Sequence, residues 1–298
     1  TSIAFATVEM ISSRGSDNLS LTIYATAILW TFTHTETSAL HWLLTFGLSA
    51  LVALISHRAK ILSLSGAVMT FATAFFIFGT GGWKWTLPLF AFFLLSSVLS
   101  KFKEKRNPSS EALVEKSGIR DYKQVLANGG IPSVILFVSI ISSQHELGYA
   151  AYLVSVAAAT SDTWSTEIGG LFRGKTIDLT SFKPTSPGLS GGVSASGTLG
   201  GLMGAVAIAA IGLWFIEIDI VNWILIVLAG FCGTLVDSFL GSLWQVKYLD
   251  PDGEITEKTH FHEIQNPRIS GLKWLNNDRV NAISNATAVG VYILIQWI

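Results

Sequence analysis

Charge is scarce in this chain: 13% of its 298 residues are Asp, Glu, Lys or Arg, about half the share in a soluble domain. Half of the residues are hydrophobic and the mean hydropathy is +0.52. That balance excludes a soluble globular domain and leaves a polytopic membrane protein. Neither sign of charge dominates, since the net charge is −1, so the basic surface of a nucleic-acid binder is missing and no nucleic-acid partner is expected. The single cysteine, Cys232, lies inside an apolar run and excludes an intrachain disulfide framework. His260, His262 and Glu263 lack a second ligand pair, so no zinc centre is expected there. Residues 1–18 carry no clear signal-peptide pattern.

What the chain does have is apolar length. Segments near 19–33, 41–56, 62–79, 86–100, 129–146, 147–164, 196–216, 222–240 and 282–298 reach or approach the length needed to cross a hydrocarbon core of about 30 Å. The expected fold is an all-α membrane protein of about nine transmembrane helices. Several segments are short and the break at SSQHELG is brief, so seven or eight full spans with re-entrant pieces stay open. Alternating nine spans across the bilayer puts 18 of the 19 basic residues on one side, with only Lys84 opposite. By the positive-inside rule that side, which includes the N-terminus, is the cytoplasmic one.

The polar motifs fall at that same face. AATSDTWSTEIGG, residues 158–170, places Asp162 and Glu167 at the end of an apolar run. A carboxylate in hydrocarbon costs about 2.5–3.5 kcal/mol on insertion scales and marks a functional site by default. On a regular helix Asp162 and Glu167 point about 140° apart, so they share a cation only if the helix ends between them. Gly169-Gly170 and the polar loop beyond offer such an ending. Carboxylate and hydroxyl oxygens suit a hard cation such as Mg²⁺ bridging phosphates, and the competing reading is an acid that simply reaches water. A second intramembrane acid, Asp237, lies on one stripe with Gly233 and Gly241 in GFCGTLVDSFLGSLWQ. Its competing reading is a hydrogen bond to another helix.

Between them runs KPTSPGLSGGVSASGTLGGLMG, residues 183–204. Glycines let backbone N–H groups approach a phosphate, hydroxyls add donors and a lysine adds a point charge. The candidate phosphate loop comprises Lys183, Gly188, Ser190, Gly191, Gly192, Ser194, Ser196 and Gly197, whereas Gly200 onward has the spacing of close helix packing. Donors also gather at two span starts. Gln124 and Asn128 precede Gly129-Gly130, and Asn277 and Asn281, with Arg279 between them, open the last apolar segment, where Asn285 continues their line.

Taken in order, QVLANGG, SDTWSTEIG, GGVSASGTLGG, DSFLGSLWQ and NNDRVN resemble the successive motifs of the transmembrane protein 19 and phytyl-phosphate kinase family. The resemblance covers roughly residues 60–298 of what is expected to be one transmembrane domain over 1–298, and residues 1–60 carry no matching motif. It implies an integral membrane kinase that phosphorylates phytyl phosphate, or a related isoprenoid monophosphate, with CTP or another nucleoside triphosphate. Such an enzyme would feed tocopherol synthesis from a bacterial inner membrane or plastid membrane, with its site on the cytoplasmic or stromal side. Phosphoryl transfer needs positioning and charge neutralisation. Asp162, Glu167 and Asp237 are then expected to hold Mg²⁺, Lys183 and the 188–197 loop to cradle phosphates, and Asn128, Gln124, Asn277, Arg279 and Asn281 to bind nucleotide or acceptor. The rival readings are a cytidylyltransferase making a CDP-lipid, and a transporter.

Overall fold

The computed structural model describes residues 38–107, 119–172, 174–261 and 264–298. The expected span at 19–33 and residues His262 and Glu263 lie outside them. Seven helices occur among the described residues: α1 (Ala39–Arg58), α2 (Leu64–Arg106), α3 (Tyr122–Ser142), α4 (His145–Leu171), α5 (Ala195–Gly212), α6 (Ile220–Leu243) and α7 (Asn277–Gln296). Five of them, α1, α2, α3, α5 and α6, are long and apolar enough to cross a membrane. α2 is 43 residues long and takes in both expected segments, 62–79 and 86–100. It breaks at Gly82, whose φ of 64° leaves the right-handed helical region at a position where only glycine is unstrained. α4 and α7 were also expected as spans. Both carry polar residues along one end, Asp162 to Glu167 in α4 and Asn277 to Asn285 in α7, which lowers their mean hydropathy.

The chain is not purely helical. Short antiparallel pairings join β1 (Ile177–Asp178) to β2 (Gly192–Val193), and β5 (His260–Phe261) to β6 (Ile264–Gln265). A three-stranded sheet has the order β4 (Ile255–Thr256), β3 (Lys247–Leu249), β7 (Arg268–Ser270). Each strand is two or three residues long, too short to leave an alternating pattern in the sequence.

Two compact units divide the chain, one comprising Thr1–Leu89 and Ile119–Tyr149, the other Phe90–Gly118 and Ala150–Ile298. In the first, α1 meets α2 through Trp42, Phe46, Phe71 and Phe75, whose rings pack at 5.3–6.5 Å. Ser63 N–H donates to Arg120 and Arg120 N–H to Ile61, tying the start of α2 to the start of α3. α3 is capped by Asp121, with Gln124 completing a reciprocal capping box.

The second unit is built around α4. Its residues from Tyr152 to Val154, Val156 and Ala157 have no exposed surface, so all sides of that stretch pack on protein. Small residues make this possible. A Cβ at Gly197, Gly200, Gly201 or Gly204 of α5 would come within 2.8–3.1 Å of Ser165, Ile168, Ser161 or Thr160 of α4. The GxxxG spacing is therefore a helix contact. On α6, Gly230 and Gly233 fit against Ala157 and Ala158 in the same way. α7 closes the bundle with a polar clamp, in which Ser155 Oγ donates to Asn285 Oδ1 at 2.6 Å and Asn285 Nδ2 donates to the Ser155 carbonyl at 3.0 Å.

Replacing Gly200 by leucine forces a side chain onto Ile168 and the Trp164 carbonyl and is expected to cost about 1–3 kcal/mol. Thermal unfolding of the detergent-solubilised protein should fall for Gly200→Leu and stay near wild type for Gly290→Ala, whose Cβ meets nothing within 4 Å.

Candidate functional site

The polar ends of α4, α5, α6 and α7 come together in the second unit. Asp237 lies one and a half turns before the end of α6 and is 8% exposed. Its Oδ2 accepts from Ser284 Oγ at 3.2 Å. The Asn281 amide satisfies its surroundings with nitrogen turned inward, donating to Asp237 Oδ2 at 2.8 Å and to the Asn277 carbonyl at 3.1 Å. Asp162 of α4 is half-buried, and its charge and that of Glu257 both act on Asp237. Beside the acids, Thr234 Oγ1 donates to Ser161 Oγ at 2.7 Å across the α4–α6 contact. Three carboxylates thus share one field at the polar end of the bundle, and no ion pair to Asp162 or Asp237 occurs among the described residues.

Two loops wrap this end. Asp178 Oδ1 collects the N–H and hydroxyl groups of Thr180 and Ser181 at 2.8–3.1 Å, and its Oδ2 accepts from Ser242 Oγ of α6 at 2.6 Å. Burial alone would raise the Asp178 pKa, but these hydrogen bonds outweigh it and hold the carboxyl below the usual range. Gly191, at φ +90°, lies directly on Ser242, where a Cβ would come within 2.6 Å of backbone. Ser190 N–H donates to Glu257 Oε1 at 2.8 Å, fastening the glycine loop to the segment after β4. Lys247 of β3 lies in the same neighbourhood, and the charges of Asp178 and Glu257 reach it. Its burial pulls the ammonium below its ordinary pKa, against the opposing pull of those two acids.

Several residues singled out in the sequence are placed otherwise. α4 runs unbroken to Leu171, so Asp162 and Glu167 stay on different faces and do not share a cation. Glu167 instead accepts from Ser100 Oγ at 2.7 Å and pairs with Lys103 Nζ at 3.0 Å, the two side chains being 13% and 9% exposed. Asn107 Nδ2 caps the same helix end at the Gly170 carbonyl. Gly197 is a packing residue against the Ser165 carbonyl, and its N–H is taken by Ser194, the N-cap of α5, whose hydroxyl also meets that of Ser196. Lys183 is exposed on the turn where its carbonyl accepts from Asp178 N–H, and Gly188 is exposed at φ +91°. Arg279 hydrogen-bonds the Trp274 carbonyl, Asn277 opens α7, and only Asn281 of that line reaches Asp237. Gln124 and Asn128 belong to the first unit, where Gln124 completes the α3 cap and Asn128 Nδ2 donates to the Gln124 carbonyl.

Asp178, Ser242, Lys247, Glu257 and Ser284 were not singled out in the sequence. Only Ser242 lies inside a recognised motif, and Ser284 follows NNDRVN by three residues. Asp178, Lys247 and Glu257 sit in polar loops with no local pattern to distinguish them.

A membrane bundle with a buried acid cluster at one polar end defines the class, and comparison with known proteins defines the family. Residues 47–289 match the model of the integral membrane protein family DUF92, and the chain belongs to that family. This agrees with the transmembrane protein 19 and phytyl-phosphate kinase resemblance. The chain is 30% identical to Protein PGR of Arabidopsis thaliana over 80% of this chain and 90% of that protein. It is 32% identical to the Uncharacterized membrane protein MJ0933 of Methanocaldococcus jannaschii, over 66% of this chain and 80% of that one. It is 27% identical to the chloroplastic Protein VTE6 of Arabidopsis thaliana, over 79% and 67% respectively. No solved structure matches.

Removing the Lys103 ammonium leaves Glu167 buried without its counter-ion, at an expected cost on the order of 3 kcal/mol. Lys103→Met should lower the unfolding temperature markedly, and the double variant with Glu167→Gln should recover much of the loss.

Proposed function

We propose that the chain is a membrane phosphotransferase that moves the terminal phosphoryl group of a nucleoside triphosphate, CTP foremost, onto an isoprenoid monophosphate such as phytyl phosphate. The observation that carries this reading is the pairing of buried Asp237 with half-buried Asp162, with Glu257 in the same field. Two carboxylates brought together at one end of the bundle, with no ion pair to either Asp162 or Asp237 among the described residues, favour a divalent ion. Among the described residues no three His, Cys, Asp or Glu groups converge enough to cage a metal by themselves. That fits Mg²⁺, which binds through one or two carboxylates and completes its shell with water and phosphate oxygens. Asp162 and Asp237 are the residues that would hold it, with Asn281 and Ser284 orienting Asp237. The ion would neutralise charge on the triphosphate.

The acceptor is itself a phosphate monoester, largely ionised near neutral pH. One of its oxygens attacks the terminal phosphorus, the bond to the β-phosphate oxygen breaks, and nucleoside diphosphate leaves. No strong general base is needed. The Ser190–Gly192 loop lies at the same polar end, but Ser190 N–H donates to Glu257 Oε1 and Gly192 N–H to the Leu189 carbonyl, so the loop frames the phosphates rather than cradling them with those groups. The isoprenoid tail would lie among the apolar helices, with its head group at the loops. Counting α2 as two spans about its break at Gly82, and adding α4, α7 and the segment at 19–33, brings the total to nine, with the N-terminus and the site on the cytoplasmic or stromal side. Clustering of the acids at one end of the bundle favours an enzyme over a carrier, which needs polar groups along both halves of its path.

The products separate the readings. With CTP, Mg²⁺ and phytyl phosphate, a kinase yields CDP and the lipid diphosphate, a cytidylyltransferase yields pyrophosphate and a CDP-lipid, and a carrier yields neither. Asp162→Asn and Asp237→Asn should each lower kcat on the order of 100-fold or more. Their unfolding temperatures should hold or rise, because each removes one of two mutually repelling charges. Undiminished turnover in both variants would remove these acids from the reaction.

A further inference from the structure

Lys183 was the cation expected to meet phosphate, and it is an exposed side chain on a turn. A different lysine has the placement that role needs. We infer that Lys247 is the phosphate-binding cation of this site, meeting the phosphates of the nucleoside triphosphate. The inference rests on the phosphotransferase reading for the identity of its ligand.

Lys247 follows α6 by only four residues, and its direction is fixed on both sides. Strand β3 pairs with β4 through Tyr248 and Leu249, and with β7 through Lys247 opposite Ser270. The turn after β7 is locked as well, because Gly271 sits against the Gln245 carbonyl at φ +78°, where a Cβ would come within 2.1 Å. Strand pairing fixes the direction in which the Lys247 side chain leaves the backbone, a constraint that a loop lysine lacks.

The residue is 9% exposed, and its ammonium makes no hydrogen bond or ion pair among the described residues. Its stem is packed while its tip keeps access to solvent, so the donors stay open to an incoming anion. The nearby acids do not occupy those donors. Asp178 spends Oδ1 on Thr180 and Ser181 and Oδ2 on Ser242, and Glu257 Oε1 accepts from Ser190 N–H. Their charges draw the ammonium toward the acid cluster while their oxygens hold the glycine loop in place. Glu257 acts on both Lys247 and Asp237, so the lysine stands one residue removed from the acid pair, a spacing that lets a polyphosphate meet a cation and a divalent ion together.

Thermal unfolding of the full chain in detergent, titrated with inorganic pyrophosphate in the presence of Mg²⁺, tests this without turnover. Wild type should be stabilised. Lys247→Met should weaken pyrophosphate by about 30-fold or more, Lys247→Arg should keep part of the affinity, and Lys183→Gln should keep all of it. Equal stabilisation of wild type and Lys247→Met overturns the inference, as does absence of any effect on wild type. If Lys247→Met does not fold, amine-directed labelling of the wild type decides: pyrophosphate protects Lys247 from modification, or the inference is wrong. Wild-type turnover of phytyl phosphate with Lys247 irrelevant to binding removes the inference and keeps the kinase. Pyrophosphate binding through Lys247 with no lipid diphosphate formed keeps the phosphate site and removes the kinase.

Discussion

The placement of two acids, Asp162 and Asp237, on neighbouring packed helices is the constraint around which the second unit is organised. Each acid sits near the end of an apolar helix, and Glu257 adds a third negative charge to the same field. An uncompensated buried charge costs several kcal/mol, so the surrounding residues must supply dipoles, hydrogen bonds or a bound cation. Asn281 and Ser284 supply part of this at Asp237. The rest of the demand is what makes the cluster a place for a divalent ion and the phosphates it carries.

Close helix packing is what brings the acids within reach of each other. α4 can be enclosed on all sides because α5 and α6 present glycine where they meet it, and a methyl group at most of these positions would collide with α4. The same closeness lets short polar side chains bridge helices directly, as Thr234 does with Ser161 and Asn285 with Ser155. The loops then inherit their geometry from the helix ends. Ser242 at the end of α6 receives both Asp178 and Gly191, so the glycine loop is positioned by the helix that carries Asp237.

The features that could be read in the sequence are those whose energetic cost is local. An acid or a line of amides in an apolar run is conspicuous wherever it is, and Asp162, Asp237 and Asn281 were identified on that basis. The glycine spacing from Gly200 was equally readable, because i, i+4 repetition is a property of one helix. Glu167 was misassigned because its meaning depends on Lys103, 64 residues earlier in the chain, and on a helix that continues where Gly169-Gly170 suggested an end. Lys247 and Glu257 were missed for the opposite reason. Each looks like any charged loop residue until a three-stranded sheet of very short strands buries it. The helical class was evident from hydropathy, whereas the division into two units and the small sheets depend on contacts between distant segments.

The account stands on a cation-binding acid pair, and that can be measured apart from any reaction. Mn²⁺ in place of Mg²⁺ gives a spectroscopic signal, and a titration of the purified protein followed by electron paramagnetic resonance counts bound against free ion. Saturable Mn²⁺ binding that tightens with nucleoside triphosphate and is lost when Asp162 and Asp237 are both changed to asparagine is the predicted result. Binding that is absent in the wild type, or unchanged by loss of both acids, would contradict it.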